Sequence, residues 1–254
     1  MARSVLTILF SILFWVSHSQ NAKVNYLTTF DDKTLHFGFT LGINTMDFGF
    51  KHYIPIGTNP EFMPVDWGDQ FQISASDTVR SDISRNVAGF TVGIITSLRL
   101  ARDFELRFLP GLSFGERRMI YNIPVIDVND LYVDDNYEYS IKSTFLDFPL
   151  LVKYKALRIN NNRPYIIFGA AFRYDISKTA REDLVRLKNG GFYAELGAGW
   201  DTYMVFFRLS VEAKVSIGLN NQLGRGPDNT QRQYYTDSIE RLTSNMFTLS
   251  FHFE

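Results

Sequence analysis

The sequence predicts an all-β protein, an eight-stranded antiparallel up-and-down transmembrane β-barrel with short periplasmic turns, long extracellular loops and a filled polar lumen. Eight segments alternate between apolar residues and small or polar ones. The connections between these segments alternate between short and long, as they do in barrels of an outer membrane. The chain has 23 Phe and 13 Tyr but no Cys, so an exported fold must close by backbone pairing and packing rather than by disulfides.

The N-terminus predicts export. Arg3 precedes the apolar run Val5–Val16, and Ser17–Ser19 supplies small residues at the spacing that a signal peptidase reads. The run is too short to span a bilayer comfortably, so a signal peptide is favoured over the alternatives, an uncleaved anchor or a buried helix. The predicted parts are a signal peptide over 1–19, a periplasmic N-terminal segment over 20–34 and the barrel over 35–254.

The first four alternating segments begin at Leu35. Apolar residues occupy every second position, with glycine, hydroxyl or charged residues between them, which is typical of a strand buried on one face. The second and third segments are joined by Arg102-Asp103 and predict a hairpin. The apolar positions run from Phe37 to Ile43, Phe90 to Leu100, Phe104 to Phe114 and Leu146 to Tyr154.

The next four segments repeat the pattern. The fifth follows the turn-forming cluster Asn160–Arg163. Eight is an even number, which brings both ends of a single-chain barrel to the same rim. The apolar positions run from Ile166 to Tyr174, Phe192 to Trp200, Phe207 to Ile217 and Phe247 to Phe253.

The short and the long connections are expected on opposite rims of the barrel. Short turns join strands two and three, four and five, and six and seven. A soluble β-sandwich or lipocalin-type barrel, the main alternative fold, has no reason to sort its loops in this way. The long loops are expected around 51–86, 119–142, 177–190 and 220–243.

The faces opposite the apolar ones predict the lumen. They carry glycine, serine and charges of both signs in near balance, and charges enclosed in a narrow interior must be paired. Eight strands leave room for side chains and little more, so we expect a filled lumen rather than an open pore. The residues expected to point inward are Arg99, Arg107, Lys153, Lys155, Arg173, Arg208, Lys214, Glu105, Asp147, Glu195, Asp201, Glu212 and Glu254.

Aromatic residues near the ends of the strands are expected to form interface belts. The alternative is that each is simply a strand residue. The predicted belts comprise Phe104, Tyr154, Tyr165 and Tyr203 on the turn side and Phe50, Tyr53, Phe114 and Tyr121 on the loop side.

The sequence offers little chemistry. His36 and His252 fall on the lumen faces of the first and last strands, which are neighbours in a closed barrel. A hydrogen-bonded structural pair is favoured over a metal or catalytic pair, because no thiolate or carboxylate cluster at ligand spacing accompanies them. Ser250 lies beside His252, but such a pair on one strand does not make a nucleophile with its base. We therefore predict no catalytic, cofactor-binding or metal-binding residue and no enzyme activity.

Three loop motifs are weak indications of function. The segment Asp127–Asp135 resembles a calcium loop, but Tyr132 stands where the turn glycine belongs, so a solvated acidic loop is favoured. Gly224–Pro227 lacks the strand and helix of a phosphate loop and is interpreted as a flexible loop. Trp67 and its apolar neighbours form either a partner surface or a cap on the barrel.

Three segments resemble one known family, namely FLDFPLLVKYKALRINNNRPYIIFGAAFRYDIS (145–177), GGFYAELGAGWDTYMVFFRLSVEAKVSIGLNN (190–221) and LTSNMFTLSFHFE (242–254). Within them, Pro-Leu-Leu-x-Lys-Tyr-Lys, Arg163-Pro164-Tyr165 and Ser-Phe-His-Phe-Glu are the most specific. Together they resemble the PorT family, small barrels of the type IX (Por) secretion system in Bacteroidetes.

The resemblance implies an outer-membrane component that is required for export of proteins carrying a C-terminal sorting domain, with no enzyme activity. Expected partners are outer-membrane lipid, lipopolysaccharide and other secretion-system subunits. The net charge of −1 gives no attraction to nucleic acid. The alternatives are a generic barrel for envelope stability or adhesion, a lipid-modifying outer-membrane enzyme using His36 and Ser250, and a soluble ligand-binding barrel.

Overall fold

The computed structural model describes residues 24–62, 73–122, 138–177, 185, 187–224 and 233–254. In these parts of the chain a single antiparallel sheet contains ten strands. The strands are β1 (Leu35–His52), β2 (Ser81–Asn86), β3 (Ala88–Arg99), β4 (Phe104–Phe108), β5 (Gly111–Tyr121), β6 (Tyr139–Lys155), β7 (Asn162–Asp175), β8 (Gly190–Tyr203), β9 (Arg208–Gly218) and β10 (Ile239–Phe253).

The ten strands form a ring of eight barrel strands. β2 and β3 are two parts of one barrel strand, since β5 pairs with β2 near the loops and with β3 further down. β4 and β5 are likewise two parts of the next one, interrupted at Leu109-Pro110, because both pair with β6. β1 pairs with β3 on one side and with β10 on the other, which closes the ring. The predicted eight-stranded up-and-down barrel is confirmed.

The two faces of the sheet have the polarity expected of a membrane barrel. Phe207, Val211 and Phe251 on the outer wall remain 37%, 38% and 36% exposed. Glu212 and Lys214, on the same strand as Val211, are buried inside at 1% and 8%. A soluble barrel would show the opposite arrangement, with the apolar side chains at its centre, so that alternative is excluded for this part of the chain.

The strands extend further toward the loops than the sequence predicted. β1 continues to His52, β5 continues to Tyr121, β6 already begins at Tyr139, and β2 lies inside a segment predicted as loop. A short helix, α1 (Gln233–Asp237), lies inside another. The reason is that apolar side chains in these extensions turn inward and pack together, which stabilises additional strand pairing. The three short connections lie where they were predicted.

No helix in the described residues is long and apolar enough to cross a membrane. The predicted signal peptide lies outside the described residues, and it stays a prediction. The acidic loop Asp127–Asp135, Trp67 and Arg225–Pro227 also lie outside them.

Candidate functional site

The barrel interior is the part of the molecule where polar chemistry concentrates, and its charged part lies toward the turns. Every charged residue predicted for the lumen is buried there except Arg99. The Arg99 side chain remains 31% exposed and lies 3.8 Å from Asp32 at the turn rim. The prediction for Arg99 is wrong because its strand ends at that residue, so the side chain reaches the mouth instead of the interior.

A first group of ion pairs crosses the lumen between β4, β6, β8 and β9. The Lys153 ammonium donates to both carboxylate oxygens of Asp201, at 2.8 and 2.6 Å. Arg107 donates to Glu212 at 3.1 Å and to Glu254 at 3.3 Å. All these side chains are enclosed. Pairing is required here because an isolated charge in a low-dielectric interior costs several kcal/mol.

A second group lies nearer the middle of the barrel. The Arg173 guanidinium is 2.9 Å from Asp147 and 2.6 Å from Glu195. Lys214 reaches the other oxygen of Glu195 at 2.8 Å, and Ser216 donates to the first oxygen at 2.8 Å. Each carboxylate in this group therefore has a cationic partner on a neighbouring strand, as the balanced sequence count predicted.

The described part of the predicted periplasmic segment lies in the turn-side mouth of the barrel and contacts it. Asp31 accepts a hydrogen bond from the Tyr203 hydroxyl at 2.7 Å. Its carboxylate also lies 3.3 Å from Arg163, 3.6 Å from Lys155 and 3.8 Å from Arg208. One residue from the N-terminal segment thus takes part in the charge network of the lumen.

Phe30 adds an apolar contact at the same mouth. Its ring stacks on His36 with a centroid distance of 4.2 Å, and the Arg208 guanidinium lies 4.8 Å from its centroid. Asn161, in the turn between β6 and β7, donates to the Val24 carbonyl at 2.8 Å. We call residues 24–32 the N-terminal strap, because they are bonded across the turn end of the barrel.

The loop half of the interior is apolar. Arg117 marks the boundary: it is almost fully buried, its guanidinium lies 4.1 Å from the centroid of Phe48, and it donates to Ser244 at 3.0 Å. Arg117 is not among the residues predicted to point inward, although its spacing from Ser113 places it on the inner face. The cluster above it, which we call the loop-side core, comprises Phe48, Ile56, Ile73, Val79, Met119, Tyr121, Val185, Leu223, Tyr235, Ile239 and Leu242.

A cavity of about 30 Å³ lies in the lumen. Polar side chains line it, including Thr91, Ser113, Asp147, Lys214 and His252. This volume accommodates about two water molecules. This cavity offers room for water but not for a polypeptide, which is consistent with the filled lumen that the strand number predicted.

The aromatic belt predictions are partly right. Phe104 and Tyr154 face outward near the turns as a tilted pair 5.0 Å apart, and Phe114 stacks on outward-facing Phe90 at 4.5 Å. Tyr53 is half-buried.

Four of the belt residues point inward instead. Tyr165 and Tyr203 are buried in the lumen, where Tyr165 donates to Glu212 at 2.9 Å. Tyr121 belongs to the loop-side core, and Phe50 packs against it. Alternation along the strands already placed both lumen tyrosines inside, but the belt expectation was based on residue type and overrode that alternation.

The two histidines face the lumen but do not form a pair with each other. His252 hydrogen-bonds Thr40 and lies 3.3 Å from Glu212. His36 stacks on Phe30 instead. Since Thr40 is directly opposite His252 in the register, His36 lies four residues, or roughly 13 Å, further along β1. The expected hydrogen-bonded pair is therefore wrong, and each histidine has its own structural partners.

Comparison with known proteins identifies several similar solved structures and one matching family. The solved structures similar to the chain include OprG of Pseudomonas aeruginosa, at 10% identity and a TM-score of 0.45, covering 85% of this chain and 93% of that one. Ail, the attachment invasion locus protein of Yersinia pestis, in complex with the heparin analogue sucrose octasulfate, matches at 12% identity and a TM-score of 0.33, covering 85% and 96%. The N-terminal β-barrel domain of Pseudomonas aeruginosa OprF matches at 13% and 0.29, covering 84% and 96%.

No curated protein matches the sequence significantly. The profile of the family described as outer membrane protein beta-barrel domain matches residues 18–224, which is most of the chain. With the outward apolar wall and the closed ring of strands, this match assigns the location as well as the fold. The chain belongs to the family of outer membrane protein β-barrel domains.

Proposed function

We propose that this outer-membrane barrel is a non-enzymatic accessory component of type IX protein secretion. The resemblance of 145–177, 190–221 and 242–254 to the PorT family supports the secretion role. The observation that carries the accessory role is the filled lumen, which is crossed by ion pairs and covered at the turn end by the N-terminal strap.

The lumen contacts support an accessory role rather than conduction of the exported chain through the barrel. A polypeptide passing through would have to separate buried pairs such as Lys153 with Asp201 and Arg173 with Glu195. Leaving one buried partner uncompensated costs about 3–5 kcal/mol for each pair. The protein therefore contributes through its surfaces, and a larger subunit provides the path.

The turn rim offers a surface for such contacts. Leu157 and Ile159, between β6 and β7, are each 69% exposed, and Phe206, between β8 and β9, is 90% exposed. Both turns lie beside the N-terminal strap, because Asn161 bonds the strap and its carbonyl accepts from the Tyr203 amide at 2.8 Å. Exposed apolar side chains on a periplasmic rim are typical of protein contacts.

The burial of the candidate catalytic side chains supports the non-enzymatic reading. His36, Ser250 and His252 are all enclosed in the lumen. A lipid-modifying enzyme needs its reactive groups on the outer wall or the outer rim, within reach of a lipid headgroup. Unchanged lipid A on mass spectrometry after deletion of the gene would agree with this reading, and a changed acyl or phosphate pattern would contradict it.

Deletion of the gene in the native host tests the secretion role. We expect proteins with C-terminal sorting domains to accumulate in the periplasm, with export restored by the intact gene. A cross-linked pull-down from native outer membranes should then recover larger translocon subunits. Leu157→Ser with Phe206→Ser should reduce this recovery, whereas the matched outward change Leu219→Ser at the loop end should not.

A generic barrel for envelope stability or adhesion is the second candidate, and the family match favours it because that match identifies the barrel alone. This candidate expects normal export in the deletion strain together with increased sensitivity to detergents or loss of surface attachment. Normal export would therefore reject the secretion proposal and retain the second candidate.

A further inference from the structure

The outer wall of the barrel changes character above the stacked pair formed by Phe90 and Phe114. Below this pair the outward residues of β3 and β5 are apolar apart from Thr96, and the two rings lie 4.5 Å apart on the lipid-facing wall. Above it, the outward positions of β5 and β6 carry charged side chains, including Arg118 and Lys142. The pair therefore marks the edge of the hydrocarbon on this side of the barrel.

Three cations lie together just beyond this edge. Arg85 and Arg118 are directly opposite each other on β2 and β5. Lys142 on β6 lies opposite Glu116, two residues from Arg118. Like charges directly opposite on neighbouring strands destabilise a sheet unless a counter-charge compensates them. A four-residue step from Phe114 to Arg118 places the guanidinium roughly 10 Å above the ring, at the depth of the headgroups.

Only one of the three cations makes hydrogen bonds to the neighbouring carboxylates, although Lys142 also lies opposite Glu116. Arg118 donates to Glu116 at 2.9 Å and to Glu138 at 3.4 Å. Arg85 and Lys142 are exposed and make no hydrogen bond or ion pair with the residues that the structure describes. Asp82, further toward the loops, bonds the amide of Ile83. Arg118 is thus held in place by its carboxylates, while the charges on either side of it are available.

We propose that Arg85, Arg118 and Lys142 form a binding site for the phosphate of an outer-leaflet glycolipid of the lipid A type. The cations bind the phosphate, since guanidinium and ammonium groups donate charge-assisted hydrogen bonds to its oxygens. The acyl chains lie along Phe90 and Phe114 below. A lipid phosphate is chosen over a free one because the apolar pair and the cations share one outer face.

Lys51 and Arg241 provide an internal comparison at the same end of the barrel. They are also opposite each other, on β1 and β10. Here Lys51 pairs with Glu240 at 2.6 Å, and Arg241 donates to the Leu219 carbonyl at 3.0 Å. Their donors are engaged within the protein, so this second pair of cations is not assigned a ligand.

Native mass spectrometry of the folded full chain tests the proposal. The barrel is released from detergent micelles that contain diphosphoryl lipid A. We expect the unchanged protein to retain lipid A, and the double variant R85Q/K142Q to retain roughly 30-fold less, given the usual contribution of each of the two cations near a charged membrane surface. The matched control K33Q/R102Q removes the same charge from exposed positions at the turn rim and should retain lipid A normally.

Two further arms use the unchanged protein and do not depend on any variant. Dephosphorylated lipid A should be retained far less than the diphosphoryl form, whereas millimolar inorganic phosphate should leave retention of the lipid intact. Equal retention of both lipids, or equal losses in the two double variants, would overturn the proposal. Displacement by inorganic phosphate would overturn the choice of a lipid. Heat-dependent gel mobility verifies that each variant has folded.

Discussion

The turn half and the loop half of the barrel bury opposite kinds of side chain along the same strands. In the turn half, β10 directs Leu249 and Phe251 outward and Ser250 inward. In the loop half, the same strand directs Arg241 outward and Leu242 inward. In both halves successive side chains alternate between the two faces. The apolar face is the outer one in the turn half and the inner one in the loop half.

β5 shows the same exchange. Phe114 faces outward where Ser113 faces inward, whereas Arg118 faces outward where Met119 joins the loop-side core. The turn half is organised for lipid, with an apolar outer wall and its ionised groups paired inside. The loop half is organised for water, with an apolar core and a charged surface. The comparison therefore locates the outer edge of the hydrocarbon from the residues alone.

The test with the largest expected effect removes one ion pair in the turn half. Lys153→Met leaves Asp201 buried with weaker compensation, so we expect a loss of about 3–5 kcal/mol in the free energy of unfolding. The double variant K153M/D201L removes both charges and should recover much of this loss. Urea unfolding in detergent micelles, followed by heat-dependent gel mobility, measures both. A double variant as unstable as the single one would show that the pair itself stabilises the lumen.

The second test places a charge on the outer wall of each half. Leu112→Arg puts the charge in the hydrocarbon, where we expect destabilisation of about 2–4 kcal/mol. Ile120→Arg, on the same face of the same strand, lies beyond the edge and should cost about 0–1 kcal/mol. The free energy of unfolding is measured in lipid vesicles. Equal losses for the two variants would mean that the edge of the hydrocarbon does not lie between Leu112 and Ile120, which would contradict the comparison of the two halves.

The third test creates a cavity in the loop-side core. Leu242→Ala should reduce the free energy of unfolding by about 2–3 kcal/mol, because the buried side chain leaves a void that only partly collapses. Leu249→Ala faces lipid, which fills the vacated space, so its effect should be smaller. Unfolding in vesicles compares the two, and a reversed order would argue against a packed core above the membrane.

The smallest effect is expected at the turn mouth. Asp31→Asn weakens the contacts to Arg163, Lys155 and Tyr203. It should lower the free energy needed to detach the N-terminal strap from the barrel by about 1–2 kcal/mol. Amide hydrogen exchange over residues 24–34 should accelerate roughly tenfold, with the rest of the barrel unaffected. Asp32→Asn is the matched control, because Asp32 is 76% exposed and has one contact at 3.8 Å. Equal acceleration in both variants would remove the role assigned to Asp31.

Much of the turn half could be predicted from the sequence, because its apolar residues recur at every second position. The lumen charges follow from the same alternation, as Lys153 and Glu212 illustrate. Tyr165 and Tyr203 were misplaced because residue type was allowed to override the alternation. Arg117 is not predicted because it follows the point where the pattern of apolar and polar residues changes.

The loop half and the strap could not be predicted in this way. Met119 and Leu242 continue the alternation, but on the face that is polar in the turn half, so the expected pattern stops there. The strap contacts join Asp31 to Lys155 and Arg208, which are more than a hundred residues away in the chain. Nothing in the local sequence of residues 24–32 indicates such partners.

The position of Glu254 has a consequence for assembly. Its carboxylate follows β10 and meets Ser97, Arg107 and Arg208, which come from three other strands. Because Arg208 lies on β9, it enters together with Glu254, whereas an intermediate that lacks the hairpin of β9 and β10 leaves Arg107 without Glu212 and Glu254. Insertion of this hairpin pairs Arg107 and closes the seam in one event. Half-assembled forms are penalised electrostatically, and the ring should form in an all-or-none step.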